Sequence, residues 1–486
     1  MIRLRRAAAI LCGVLLLLAA LPQPRAEGIY DEIQLPELGR PGAAALPLYK
    51  ERELGTEIMQ QVRRHLPLHP DVELNHYIGE LGARLAAHSE QPGYGFNFFV
   101  VDDDQINAFA LPGGHIGIHS GLIRESRTES ELAGVLAHEI AHVTQRHIAR
   151  NYARAQNLNL QTAAAVLAAI LIGAQDPQAG SAAAMAGIAA PIQQQLRHSR
   201  EHEREADRVG IRNMAAAGFD PAGMPGFFEQ LAHASRFRES PPEYLSTHPL
   251  TERRMVEAQD LADRLGGGTV FESGHHAFMR ARAEVLAKAG SSTSAVAVMH
   301  DRLEQTRDDP TRRAAAIYGV ALALSLEAGE HEAALALLDT LEAIDGERLY
   351  VLLGRGEVLR NADRPREALT VYDEARSLYP GSGAALYRHA ETLISHGEAE
   401  EARRILANAT RGRQRSPELL RLLADAAHAS GREAEGYIAL AEHHHSRGEL
   451  QLALAQLSNA IRVADENRYQ RARAEALRER WQQQRD

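Results

Sequence analysis

The sequence predicts a mostly α protein in two parts: helices with a small β-sheet or hairpin in the first, an all-α solenoid of repeats in the second. Three observations carry this. A His-Glu-x-x-His motif sits in an apolar helical run, Val135 to His142. A thirty-four-residue period runs through the second half. Alanine, leucine and arginine abound while aromatics are only 5% of the chain, which points to helices. At 486 residues the chain exceeds one ordinary core and divides into domains. A net charge of −10 argues against a nucleic-acid partner.

Residues 1–26 are expected to form an export signal. Arg3, Arg5 and Arg6 precede an apolar stretch from Ala7 to Ala20, with cleavage expected after Ala26. An uncleaved anchor is the competing reading, but the run is short of the ~20 residues of a membrane span. Removal takes four arginines and no acids, so the net charge becomes −14. The single cysteine, Cys12, lies inside this segment behind Leu11, which does not suit a lipoprotein site. A mature chain without thiols suits an oxidising compartment, and the combination predicts a periplasmic protein.

Helical periodicity predicts helices over Tyr49–His65 and Glu73–Ser89. Phe96 to Asp102 reads as a strand. In Asn107 to Ile118, Pro112-Gly113-Gly114 divides two strand-like pieces into a hairpin. That hairpin is either purely structural or an edge on which an extended peptide adds as a strand. Glu129 to Tyr152 is expected to be one helix carrying the motif. Leu158–Ile172 and Gly180–Ile192 are small-residue runs, read as a packed helical pair too short to span a bilayer. Further helices are expected over Gln193–Ala217, Met224–Ala234 and Thr251–Leu265, with Pro241–Pro249 a loop.

The glycines at 266–268 mark the expected boundary between a first domain at 27–265, a linker at 266–271 and a second domain at 272–486. In the second, Gly329, Asp363, Gly397 and Gly431 recur every thirty-four residues, the tetratricopeptide period. In the clearest unit Gly356, Ala368 and Ala375 let paired helices approach and Tyr372 fills the gap between them. Gly448 follows Gly431 by seventeen, half a period, so an extra helix or irregular unit is expected there. Stacked helix pairs present a concave face suited to protein partners.

His138 and His142, four apart, share one helix face and can grip one metal ion. Glu139 is then placed to act on water rather than to ligate. A metzincin is excluded, because Gln145 and Ile148 stand where that class requires glycine and histidine. The remaining ligand is a carboxylate on a later helix. Within Ser199 to Gly210, Glu203, Ala206, Asp207 and Gly210 lie on one face, and the two small residues allow close docking. Glu203 is expected to ligate, and Asp207 to accept a hydrogen bond from a ligand histidine. Glu201 and Glu205 are expected to be solvated.

His138-Glu139-Ile140-Ala141-His142 together with Glu203-Arg204-Glu205-Ala206-Asp207 resembles the zinc proteases of the CAAX prenyl protease/HtpX-type family. The order of signal, protease domain and repeat domain resembles that family's periplasmic, repeat-bearing branch. Ser246-Thr247-His248-Pro249 matches the family's His-Pro loop, and Arg254 falls six beyond the histidine. The resemblance implies that His248 lies at the active site as a fourth, quieting metal ligand; from residues alone it is a loop histidine. His275-His276 and His443-His444-His445 are expected to be solvated.

The expected activity is a zinc endopeptidase with one Zn2+ held by His138, His142 and Glu203. Glu139 serves as general base, and Arg254 or His248 stabilises the oxyanion. The implied partners are unfolded or stalled outer-membrane β-barrel proteins, and the barrel-assembly machinery through the repeats. The alternative is a repeat-based assembly factor whose protease activity is minor or autoinhibited.

Overall fold

A computed structural model describes residues 46–154, 199–237, 241–266, 274–289, 293–342, 348–411, 416–464 and 467–483. The expected signal at 1–26, the two small-residue runs, residues 193–198 and most of the linker lie outside the described residues.

The first unit opens with α1 (Leu48–His65) and α2 (Val72–Ala87). Asp71 caps α2 by accepting from the Leu74 N–H. Three strands follow: β1 (Asn97–Val101), β2 (Ala108–Leu111) and β3 (His115–His119). β2 and β3 form the expected antiparallel hairpin, and β1 joins β3 in parallel, giving the order β1-β3-β2. β2 is therefore an edge. The turn between them uses Gly113 at φ 80° and Gly114 at φ 83°, conformations that a side chain would strain.

A short helix, α3 (Ser120–Glu125), leads to α4 (Glu129–Thr144), which carries the histidine motif. Thr128 caps α4, and Glu131 reaches back to the Arg127 N–H. Every residue of α4 is buried, so the helix runs through the core rather than lying on it with one apolar stripe. The expected single helix 129–152 is broken. Arg146 takes φ 55°, and a separate helix α5 (His147–Arg154) starts after it. A buried ion pair from Arg146 Nη2 to Glu51 Oε2 (2.8 Å) anchors the break.

α6 (Arg200–Ala216) packs along α4, and α7 (Gly223–Phe237), α8 (Tyr244–Thr247) and α9 (Glu252–Leu265) close the unit. α8 is one helical turn inside the stretch expected to be loop.

Twelve repeat helices are described: α10 (His275–Lys288), α11 (Ala295–Gln305), α12 (Pro310–Ala323), α13 (His331–Glu342), α14 (Arg348–Asn361), α15 (Pro365–Leu378), α16 (Gly383–Ser395), α17 (Ala399–Arg411), α18 (Pro417–Ala429), α19 (Glu433–Ser446), α20 (Leu450–Val463) and α21 (Arg468–Gln483). The periodic residues have one job. Gly329, Asp363, Gly397 and Gly431 all take positive φ where one helix turns back on the next, and so does Gly448. The half-period slip is thus one more helix turn of the same kind. Tyr372 is fully buried against Gly356, where a Cβ would come within 2.3 Å of its ring.

The apolar core does not stop at the glycines. One cluster runs from Leu74 on α2 through Phe278 and Tyr318 to Ala385 on α16. The expected solvation of the histidine clusters fails at the contacts between elements. His276 is buried, bonding the Ser126 carbonyl and the Tyr77 hydroxyl. His443 meets the Pro417 carbonyl, His444 meets Glu449, and His445 stacks on Trp481.

Candidate metal centre

Four side chains from three elements converge. His138 and His142 come from α4, Glu203 from the first turn of α6, and His248 from the end of α8. One ligand atom from each lies within 4.8 Å of the others. His138 Nε2 is 2.9 Å from His142 Nε2 and 3.3 Å from His248 Nδ1. The Glu203 oxygens stand 3.6 Å from His138 Nε2, 3.4 Å from His142 Nε2 and 3.2 Å from His248 Nδ1. Bonds of ~2.05 Å in tetrahedral geometry separate ligand atoms by ~3.3 Å, so the donor set fits a metal of zinc's size.

Electrostatics agree. Burial alone would raise the Glu203 carboxyl, but His248 and His138 hold it well below the usual carboxylate range. Burial alone would lower His138, yet Asp207 and Glu203 raise it to about 9. Both shifts mark a point where positive charge is favoured, and a divalent cation supplies it.

Each ligand is braced. Asp207 Oδ1 lies 3.0 Å from His138 Nδ1, where a carboxylate fixes the tautomer that turns Nε2 inward. His142 Nδ1 lies 2.7 Å from His147 Nδ1, and His147 Nε2 donates to Glu205 Oε2 at 2.9 Å. Since the carboxylate only accepts, His147 must accept from His142, which again leaves Nε2 for the metal. Glu205, expected to be solvated, is therefore part of the support. Burial alone would raise it, but His147 and Arg150 hold it down to about 2. Neither His147 nor Glu205 announced itself in the sequence, because a spacing of five from His142 is not helical and becomes a contact only through the break at Arg146.

Glu139 is fully buried beside the cluster, and among the described residues neither of its oxygens accepts a hydrogen bond. His248 Nε2 stands 3.4 Å from its Oε1. Arg254 is bound up with the carboxylates of the site. Nε and Nη2 pair with both oxygens of Asp207, and Nη1 meets Glu203 Oε2 at 2.8 Å and the Pro249 carbonyl. It holds both carboxylates, with four of its five N–H groups directed at Asp207, Glu203 and Pro249.

Such a centre, two helical histidines and a distant glutamate with a further buried carboxylate beside them, is that of a metallopeptidase. Residues 73–262 match peptidase family M48, and 359–426 match a tetratricopeptide repeat. The chain is 33% identical to the β-barrel assembly-enhancing protease of Escherichia coli (strain K12), across 91% of this chain and 90% of the relative. It is 39% identical to a putative protein of that name from Vibrio cholerae, across 60% of each. A mitochondrial metalloendopeptidase OMA1 of Arabidopsis thaliana is 31% identical across 35% of this chain and 32% of its own. The chain belongs to peptidase family M48, within the group of β-barrel assembly-enhancing proteases. It is a metalloprotease carrying a tetratricopeptide region.

Proposed function

We infer that this protein is a periplasmic zinc endopeptidase that acts on unfolded or stalled outer-membrane β-barrel proteins, with the repeats docking it to the barrel-assembly machinery. The reading keeps the signal at 1–26, the protease domain at 27–265, the linker at 266–271 and the repeat domain at 272–486. One observation carries it: the donor atoms of His138, His142 and Glu203 meet at tetrahedral spacing beside the buried Glu139, whose oxygens accept no hydrogen bond among the described residues. No helix among the described residues is long and apolar enough to cross a membrane. The names of the bacterial relatives support the substrate and partner.

When bound, a single zinc ion supplies Lewis acidity to the scissile carbonyl and acidity to the attacking water. Glu139 takes the proton from that water and delivers it to the leaving amide nitrogen. Asp207 and the His147–Glu205 pair hold the histidine tautomers, and Arg254 fixes Glu203. The β2 edge, terminal in the described sheet, is the place where an extended substrate adds as a strand.

His248 holds the enzyme quiet. Its Nδ1 completes the donor set, its Nε2 lies against Glu139, and it is buried. A single comparison tests the reading. Glu139→Gln is expected to keep zinc and fold yet lose casein cleavage, while His248→Ala raises cleavage. Undiminished cleavage by Glu139→Gln removes the mechanism; unchanged cleavage by His248→Ala makes the loop structural only.

A further inference from the structure

A reaction that gathers negative charge on a carbonyl oxygen needs a donor aimed at that charge. The two expected donors are held mainly by protein partners. Arg254 directs four of its five N–H groups at Asp207, Glu203 and Pro249, and His248 sits between the metal ligands and Glu139. Tyr244 stands among the same residues. Its ring stacks on His248 with centroids 4.5 Å apart, and meets His138 edge-on at 6.3 Å. Its backbone N–H donates to the Ile106 carbonyl, and its carbonyl accepts from His248, so the ring is fixed between the approach to β2 and the His248 turn. The side chain is 2% exposed, and among the described residues its hydroxyl has no hydrogen-bond partner. A buried hydroxyl without a partner destabilises the fold, and phenylalanine would fill the same space without that cost.

We propose that the Tyr244 hydroxyl is a further catalytic group, donating a hydrogen bond to the scissile carbonyl oxygen as charge develops there. This rests on the hydrolase reading above. The water oxygen bonds to the carbonyl carbon and the π pair moves onto the carbonyl oxygen. Glu139 takes the water's proton and hands it to the amide nitrogen as the C–N bond breaks, the C–N pair leaving on nitrogen while the oxygen's pair re-forms the C=O bond of the carboxylic acid product. Tyr244 keeps its own proton throughout, as a phenol does at neutral pH.

The test uses the full chain with the His248 cap removed. His248→Ala, His248→Ala/Tyr244→Phe and His248→Ala/Glu139→Gln are compared on a fluorogenic casein peptide. Tyr244→Phe alone is melted with and without chelator. The double variant with phenylalanine is expected to lose about 10²–10³-fold in kcat at unchanged KM, since the donor acts only in the transition state. The melting temperature of Tyr244→Phe should equal or exceed that of wild type, including in chelator. A kcat equal to that of His248→Ala overturns the proposal, and so does a lost kcat accompanied by a lower melting temperature. If the Glu139→Gln double variant cleaves as well as His248→Ala, the hydrolase reading itself falls. A dead Glu139→Gln variant beside an active Tyr244→Phe one isolates the failure to the hydroxyl.

Discussion

Asp207 illustrates how much a residue two bonds from the chemistry can carry. It grips Arg254 with both oxygens and presents Oδ1 to His138 Nδ1 at 3.0 Å. Asparagine keeps the shape but offers one acceptor and gives up the charge. Asp207→Asn is therefore expected to weaken zinc binding about 10- to 100-fold, read by competition with a calibrated chelator. An unchanged affinity would leave Asp207 with a structural role only. The residue's place was legible because spacing on a helix fixes which side chains share a face with Glu203. The role of Arg254 was not. A guanidinium six residues past a loop histidine could serve substrate or protein, and only the partners 47 and 51 positions earlier decide for the protein.

At the scale of elements, the site exists because α4 and α6 touch backbone to backbone. Gly210 is the reason. A Cβ there would come within 3.1 Å of the His138 nitrogen, 3.2 Å of the Ala137 carbonyl carbon and 2.9 Å of the Met224 side chain. Met224 can bend away, but the backbone of α4 cannot move without carrying His138 with it. Gly210→Ala should thus cost about 1–3 kcal/mol of stability by overpacking and loosen the metal more than its effect on folding alone would predict. Thermal melting and metal titration on the same variant separate the two; a destabilised variant with wild-type affinity would refute the link. The small-residue face of α6 was visible as a pattern, and so was the α4 motif. The break at Arg146 was not, because Gln145-Arg146-His147 contains neither glycine nor proline and the turn is held by Glu51, ninety-five residues away. With the break went His147 and Glu205, the support for the second histidine.

Across the whole molecule, buried charge joins the two parts alongside the apolar core they share. Arg282 of α10 is 1% exposed and reaches Asp71 at 2.6 Å, Glu73 at 3.3 Å and Glu357 at 2.7 Å. Arg388 of α16 meets Glu73 from the other side at 3.0 Å. Asp71 also caps α2, so one carboxylate serves a protease helix and a repeat helix together. Farther along, Arg63 of α1 donates to the Arg447 carbonyl beside the α19–α20 turn, so the solenoid returns to the domain it left. Arg282→Met keeps the bulk and strands three buried carboxylates against Arg388 alone. Breaking a buried pair from one side costs about 3–5 kcal/mol. By contrast Arg364, which pairs with Glu332 and Glu367 at the surface, should leave the melting temperature unchanged when replaced by methionine. Because the shared core and this joint make the parts fold as one, calorimetry of wild type should give a single transition. Arg282→Met should lower it and split it, with the repeats melting apart from the protease. A single transition in Arg282→Met at the wild-type temperature would show that the apolar core alone binds the halves, and that the charges merely fit between them.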